Sequence, residues 1–460
     1  MHDAPLLQAL RAGAPHARVL EREAIPSGLL HDEATGARYG QARALVLPTD
    51  TKEVCAAVHT CAQFGVPIVT RGAGTGLSGG ANAVDGCVLI GTERMNRVLE
   101  VDADNQTATV QPGVVNDDLK RVCAERGLWY PPDPASSAWS TIGGNVATNA
   151  GGICCVKYGV TRDHVLGIEA VLGDGTAVRL GGRTVKGVAG YDLLGLFVGS
   201  EGTLGVITEV TVRLRSRSTR PPMTVVGFFD RLTAAGEAVA SVTASGTTPA
   251  ALELVDRHCL RAVESWKRMG MDPDAAVLLL ARSDAPAGAA EEEARVLLEC
   301  FRSAGSTWAE MSTDPIEAEA LFEARRLAYP ALARLGPVVT EDVCVPRSLV
   351  PEMLARIEDI SAAWDMPVAN IAHAGDGNLH PLIITSGPDT SAMDRGQHVF
   401  DAIMDAAIAL GGTVTGEHGV GLLKRDGMRR EMSSAVMALQ RSVKHAMDPG
   451  SLFNPGKLVS

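Results

Sequence analysis

No segment of this 460-residue chain approaches 18 unbroken apolar residues, so the sequence predicts no membrane-spanning helix. There is no long basic run, and the formal net charge is −12, which argues against a nucleic-acid partner. The N-terminus lacks a compact apolar stretch and carries Asp3, which argues against a secretory signal. No Cys-x-x-Cys occurs among the nine cysteines (Cys55, Cys61, Cys87, Cys123, Cys154, Cys155, Cys259, Cys300 and Cys344). That excludes a cysteine-ligated iron–sulfur cluster of the usual spacing. The odd count points to a reducing, cytoplasmic compartment with mostly buried thiols. No tandem repeat or low-complexity tract is present.

What the chain does contain is an ordinary globular balance of 46% apolar and 21% charged residues. Its length exceeds one core, so two or three domains are expected. To about residue 216 it reads as short strands, turns and a few helices. Strands are expected at 44–48, 66–70, 87–90, 107–111, 168–172 and 205–214. A helix is expected over 51–65, capped from Thr49, Asp50 or Thr51. Residues 215–222 carry basic residues, Ser and two prolines, and read as a linker. From Met223 strands alternate with amphipathic helices, the pattern of a layered αβ domain. The strands are 224–229, 276–281, 338–345, 367–373 and 380–385. The helices are 231–245, 256–268, 288–304, 315–334 (bent near Pro330), 348–364 and 391–410, with a last one at 432–447.

Two C-terminal stretches gather metal-binding chemistry: His373-Ala-Gly-Asp-Gly-Asn-Leu-His380 and Gly416-Glu-His-Gly419. Asp376-Gly377 is the signature of a two-residue type I′ hairpin turn. Such a turn pairs 373 with 380 and sets the two imidazoles opposite each other, about 5 Å apart at Cβ. Neutral imidazoles at that spacing suit zinc or a similar ion, with Glu417 as an oxygen ligand and His418 left over as a base. The plainer alternative is a hairpin with solvated histidines.

Gly74-Thr-Gly76-Leu-Ser-Gly79 follows a strand and matches Gly-x-Gly-x-x-Gly. No helix is expected after it, and no acid lies where a nicotinamide ribose would need one. Small residues still let backbone amides close on a pyrophosphate. Thr141-Ile-Gly-Gly-Asn-Val-Ala-Thr-Asn-Ala-Gly-Gly152 and Gly199-Ser-Glu-Gly-Thr-Leu-Gly-Val-Ile207 add two more glycine-rich stretches. Three in 130 residues point to a large dinucleotide.

These stretches, with Phe453-Asn-Pro-Gly-Lys457, resemble the FAD-linked 2-hydroxyacid oxidoreductases, over about residues 40–460. That family includes D-lactate dehydrogenases, glycolate oxidase catalytic subunits and D-2-hydroxyglutarate dehydrogenases, and has the vanillyl-alcohol oxidase flavin fold. The resemblance implies an α+β protein: a two-subdomain FAD-binding domain plus an α/β cap with an antiparallel sheet. The implied boundaries are an N-terminal segment (1–39), the FAD domain (40–216), the cap (217–420) and a returning segment (421–460).

By position, Arg71, Gly72, Ala73, Gly74, Thr75, Gly76, Leu77, Ser78 and Gly79 would cradle the FAD pyrophosphate. Pro132, Asp133, Thr141, Gly144, Asn145, Thr148, Asn149 and Gly151 would line the ring and ribityl chain. Glu201, Gly205 and Ile207 would hold the adenosine side, and Asn454 would approach the ring. Thr75 stands where covalently flavinylated relatives have His, which implies non-covalent FAD. His373, His380 and Glu417 look like the ligands of a divalent metal, zinc first and manganese second. His418 looks like the catalytic base. Arg325 looks like the substrate-carboxylate arginine, with Tyr329 one turn on; otherwise Arg325 and Arg326 read as a solvated helix face. The substrate-binding set is then Arg325, Tyr329, His373 and His418.

The implied reaction is oxidation of a D-2-hydroxy acid. Hydroxyglutarate enzymes have Lys and Asn at the positions of Thr340 and Leu382, so D-lactate or a longer monocarboxylic acid is favoured, then glycolate. The electron acceptor is left open among oxygen, a quinone, a cytochrome and a partner subunit, and a homodimer is an option. Two readings of other classes are a non-catalytic flavin-binding subunit and a nicotinamide-dependent metalloenzyme.

Overall fold

The computed structural model describes residues 3–459 apart from 219, 273, 287, 313 and 386–389. The chain forms two units. The first comprises Met1–Gly151, Val160–Arg217 and Glu417–Ser460; the second comprises Gly152–Gly159 and Ser218–Gly416.

The first unit holds two principal sheets among its described residues. One has four strands in the order Arg18–Glu21, Ala44–Leu47, Val88–Gly91, Ile68–Arg71, the last three parallel. Ala44–Leu47 and Val88–Gly91 are apolar throughout and buried on both faces, as parallel strands are. The crossover helix Thr51–Phe64 begins at Asp50, whose side chain accepts from Glu53 N, and ends at Gly65 with φ +61°. The helix Ala4–Gly13 sends Leu6, Leu7 and Leu10 into the same core, so the N-terminal segment is part of this unit.

The other sheet is antiparallel, in the order Val98–Asp102, Thr107–Val110, Val206–Arg213, Val165–Val171, Ala177–Gly181. The expected linker begins later than its composition suggests: Arg215–Ser216 is a short strand paired with Leu128–Trp129. The helix Arg425–Glu431 was not anticipated.

The second unit is built on an antiparallel eight-stranded sheet. Its spatial order is Trp308–Ser312, Met223–Phe229, Val277–Ser283, Ala251–Asp256, Val368–His373, Asn378–Ile384, Val338–Thr340, and Val343–Cys344 also pairs with Asn378–Ile384. Two of these strands escape the sequence pattern, Ala251–Asp256 and Trp308–Ser312. The first is buried at every position despite containing Glu253 and Asp256, so it shows no polar–apolar alternation. The expected strand 338–345 breaks at Glu341 and Asp342, which are wholly buried. Helix Pro315–Ala333 runs through Pro330.

Candidate active site

His373 ends one strand and His380 is the third residue of the next, but they do not pair in the expected register. Ala374–Asp376 forms a turn of 3-10 helix, and only Gly377 takes a positive φ, +78°. A type I′ turn needs positive φ at Asp376 too. The loop is therefore four residues long; His373 pairs with Asn378, and His380 pairs with Ile371. The slip is two residues, an even number, so both histidines keep to one face. Their ring centroids lie 5.2 Å apart at an interplanar angle of 86°, and a nitrogen of each comes within 4.8 Å of the other. Both are buried.

Two buried carboxylates flank the pair, and one of them, Glu253, is hydrogen-bonded to it. Glu253 sits directly opposite His373 in the ladder and is wholly buried. Its Oε1 lies 2.8 Å from His373 Nδ1, and its Oε2 lies 2.9 Å from Arg325 Nε. Asp342 Oδ1 is 3.6 Å from His380 Nδ1 and accepts from Asn378 Nδ2 at 2.7 Å. Asp342 Oδ2 accepts from Thr415 Oγ1 at 2.7 Å and from Gly416 N at 3.0 Å. Gly416 has to be glycine, because a Cβ there would meet Asn378 Nδ2 at 2.1 Å.

The two arginines of the Pro315–Ala333 helix separate. Arg326 is on the outer face with Glu319 and Glu323. Arg325 is 4% exposed, and its Nη1 and Nη2 make no hydrogen bond among the described residues. Tyr329 packs partly buried against the apolar cluster that contains Phe322 and Leu332.

In the first unit, the glycine-rich loop after Ile68–Arg71 contains no helix. None of the amides from Gly72 to Gly80 donates to an acceptor among the described residues. The carbonyls behave oppositely. Gly76 O accepts from Glu33 N, Ser78 O from Leu422 N, and Gly80 O from Asn454 Nδ2 and Lys457 Nζ. Several of the loop's carbonyls are tied, and its N–H groups are unclaimed among the described residues, so they could donate to an anion. Arg71 does not point into it. Its guanidinium donates to His31 O and Gly28 O and braces the loop from behind, where a Cβ on Gly74 would be 2.1 Å from Nη2.

Gly72 also packs on Thr141, whose hydroxyl caps the helix Ile142–Thr148 by accepting from Gly144 N. On that helix Asn145 Nδ2 is buried with no hydrogen-bond partner among the described residues. Thr148 Oγ1 donates to Gly144 O, and Asn149, at φ +53°, accepts from Arg162 N. Asp133 is paired with Lys120, and Pro132 O accepts from Asn116. Gly205 and Ile207 are buried, and Gly151 closes the first stretch of this unit.

Asn454 donates to Gly80 O and Glu201 O, and its buried Oδ1 has no hydrogen-bond partner among the described residues. The Glu201 carboxylate is not turned to a ligand. It accepts from Val420 N and Gly421 N, both at 2.7 Å, and burial raises its pKa.

Glu417 and His418 head the segment that Glu201 holds. His418 O accepts from Ser78 Oγ at 3.1 Å. His418 Nε2 and Glu417 Oε1 are 3.9 Å apart, and the side chains are 14% and 15% exposed. Sequence reasoning missed Glu253, Asp342 and Asn378. Their signal was an acid inside an otherwise apolar run, at Ala251–Asp256, and the pair Glu341-Asp342 between two valine-rich stretches.

Residues 42–181 match the family described as "FAD binding domain", and residues 220–458 match "FAD linked oxidases, C-terminal domain". The chain is 40% identical to the glycolate oxidase subunit GlcD of Bacillus subtilis over 93% of its own length and 91% of that protein's. For GlcD of Escherichia coli K12 the figures are 38%, 99% and 91%. A D-lactate dehydrogenase of Anaerostipes hadrus is 34% identical over 96% of this chain and 94% of its own. Among solved structures, p-cresol methylhydroxylase with substrate bound aligns at TM-score 0.83 and 17% identity, over 99% of this chain and 96% of its own. The vanillyl-alcohol-oxidase-type fold follows from that likeness.

Proposed function

The chain belongs to the FAD-linked oxidases, and on that premise we propose that it oxidises a D-2-hydroxy acid to the 2-oxo acid, with D-lactate or a longer monocarboxylic analogue as substrate. One observation carries this reading. The buried Arg325 guanidinium is held by its Nε edge to Glu253, beside His373, and its other edge makes no bond among the described residues. Glu253 already balances the charge, and the remaining Nη edge suits a substrate carboxylate in a bidentate pair.

The donor sets fit both expected groups. The unclaimed amides of Gly72–Gly80 suit the FAD pyrophosphate, and the buried amides of Asn145 and Asn454 suit a polar ring system. His373 and His380 suit a divalent ion, zinc or manganese, with Glu417 as third ligand by chain adjacency to Gly416. The chemistry such groups would supply when bound is a hydride acceptor, from the flavin, and Lewis acidity toward the substrate hydroxyl, from the ion. Arg325 fixes the substrate carboxylate. His418 takes the hydroxyl proton as general base.

Thr340 and Leu382 are direct cross-strand partners, and Leu382 is wholly buried. A second substrate carboxylate there would be unpaired, at a cost of several kcal/mol (about 2–7 for an unbonded polar group, more for a charge). That favours a monocarboxylic acid over hydroxyglutarate. Glycolate is the second reading, favoured by the identity with two glycolate oxidase subunits.

His418→Ala is expected to keep the flavin absorption bands and to lose flavin reduction by D-lactate in a single turnover. Reduction at the wild-type rate would remove His418 from this role. A substrate panel with a dye acceptor ranks D-lactate, longer acids, glycolate and D-2-hydroxyglutarate; rapid turnover of the last alone would overturn the substrate assignment.

A further inference from the structure

We propose that Glu253 is a positioning residue that sets the proton of His373 and the orientation of Arg325 together. The inference rests on the reading above, in which His373 holds a metal and Arg325 holds the substrate carboxylate.

Glu253 lies in the middle of the Ala251–Asp256 strand, wholly buried and directly opposite His373. Each of its oxygens has a separate task. Oε1 faces His373 Nδ1 at 2.8 Å, and Oε2 faces Arg325 Nε at 2.9 Å. An ionised carboxylate only accepts hydrogen bonds. The nitrogen facing it must therefore carry the proton, which makes His373 the Nδ1–H tautomer and puts the lone pair on Nε2. A hydrogen-bonded carboxylate behind a ligating imidazole raises its basicity and fixes its orientation. The same carboxylate ion-pairs with Arg325 on its Nε side, which leaves the Nη side of the guanidinium for a substrate. It also compensates a cation that is 4% exposed. One rigid strand thereby sets the spacing between carboxylate grip and metal ligand.

An isosteric amide keeps the shape and one acceptor oxygen but removes the charge and the second acceptor, so the His373 tautomer, and not stability, separates a positioning role from a purely structural ion pair. In Glu253→Gln the single amide oxygen stays with Arg325 Nε. The NH2 group then faces His373 Nδ1, which must become an acceptor, and the proton moves to Nε2. Zinc affinity of the FAD-loaded Glu253→Gln enzyme, measured by competition with a chromophoric chelator, is expected to fall about 10- to 100-fold. In metal-free, FAD-loaded protein with nitrogen-15-labelled histidine, His373 is expected as Nδ1–H in the wild type and Nε2–H in the variant. His373→Ala assigns its resonances.

Wild-type His373 in the Nε2–H form overturns the proposal, and so does a variant that binds zinc with wild-type affinity. The wild-type tautomer decides the matter even if the variant does not fold. Unchanged zinc uptake in His373→Ala would instead remove the metal reading, while the tautomer still tests Glu253.

Discussion

Arg325 and Arg326 are adjacent in one helix and have opposite surroundings. Arg326 joins a surface ladder with Glu319 and Glu323, where exposed pairs contribute little. Arg325 is turned inward onto Glu253. Arg325→Lys keeps the charge but loses the planar fork. It is expected to raise KM for D-lactate about 10- to 100-fold, the equivalent of one charge-assisted hydrogen bond of about 1.5–3 kcal/mol. An unchanged KM would remove Arg325 from the substrate site.

The cysteines make a second prediction at this scale. Desolvation pushes Cys61 up to about 12 and Cys87 and Cys123 up to about 11. Thiolates are the reactive species. At pH 8 a disulfide reagent should therefore modify native protein only at the partly exposed Cys55, Cys154, Cys155 and Cys344, and should reach all nine after denaturation. Rapid native labelling of a fifth thiol would contradict this burial.

Among the elements, the hairpin at 368–384 matters most. Its motif announced a turn and two histidines on one face, and both exist. The turn itself is longer, because one glycine supplies the only positive φ where the shorter turn needs two. Gly377 is tightly constrained: φ is +78°, and a Cβ would meet Val345 O at 2.2 Å. Gly377→Ala is expected to lower stability by about 1–3 kcal/mol. It should also reduce zinc uptake while leaving the flavin spectrum intact. Wild-type zinc affinity in that variant would show that the turn does not set the histidine spacing.

The strand Ala251–Asp256 shows the opposite case, an element the pattern missed. Central strands are buried on both faces, so alternation vanishes and an internal acid looks like a breaker. Here that acid braces a histidine and an arginine from two other elements.

At the scale of the whole chain, the first unit is closed by the C-terminal segment. Lys457 Nζ donates to Gly80 O and Asn82 O, and Asn454 donates to Gly80 O and Glu201 O. Burial lowers the Lys457 pKa from 10.5 to about 8, against the opposing pull of Asp32, Cys87 and Glu201. The folded value lies below the unfolded one. Between pH 8 and 10.5, then, the unfolded chain holds a proton that the folded chain has lost, and rising pH stabilises the fold through this group. Below that window both states are protonated and the full desolvation cost remains. Relative to Lys457→Met, wild-type stability should rise from pH 8 to 10, by at most about 1.4 kcal/mol per unit. Parallel pH profiles of the two proteins in urea denaturation would refute it.

Across the described residues no helix is long and apolar enough to cross a membrane.

Much of this protein is local chemistry and so was legible in the chain. Glycine-rich stretches, a histidine-bearing turn and the alternation of strands with amphipathic helices depend on neighbours a few residues away. They pointed to a layered αβ domain, a dinucleotide-binding loop and the histidine cluster, while the α+β class and the remaining site residues were implied by the family resemblance. What depends on contacts across more than a hundred residues was decided only by tertiary structure. Glu253 meets His373 at a separation of 120, and Glu201 meets Val420 at 219. Burial then decided which charges face inward: it set Arg325 against Glu253, turned Arg71 behind its loop, and committed Glu201 to the backbone. A side chain's direction is chosen by the packing around it, and no short stretch of sequence contains that packing.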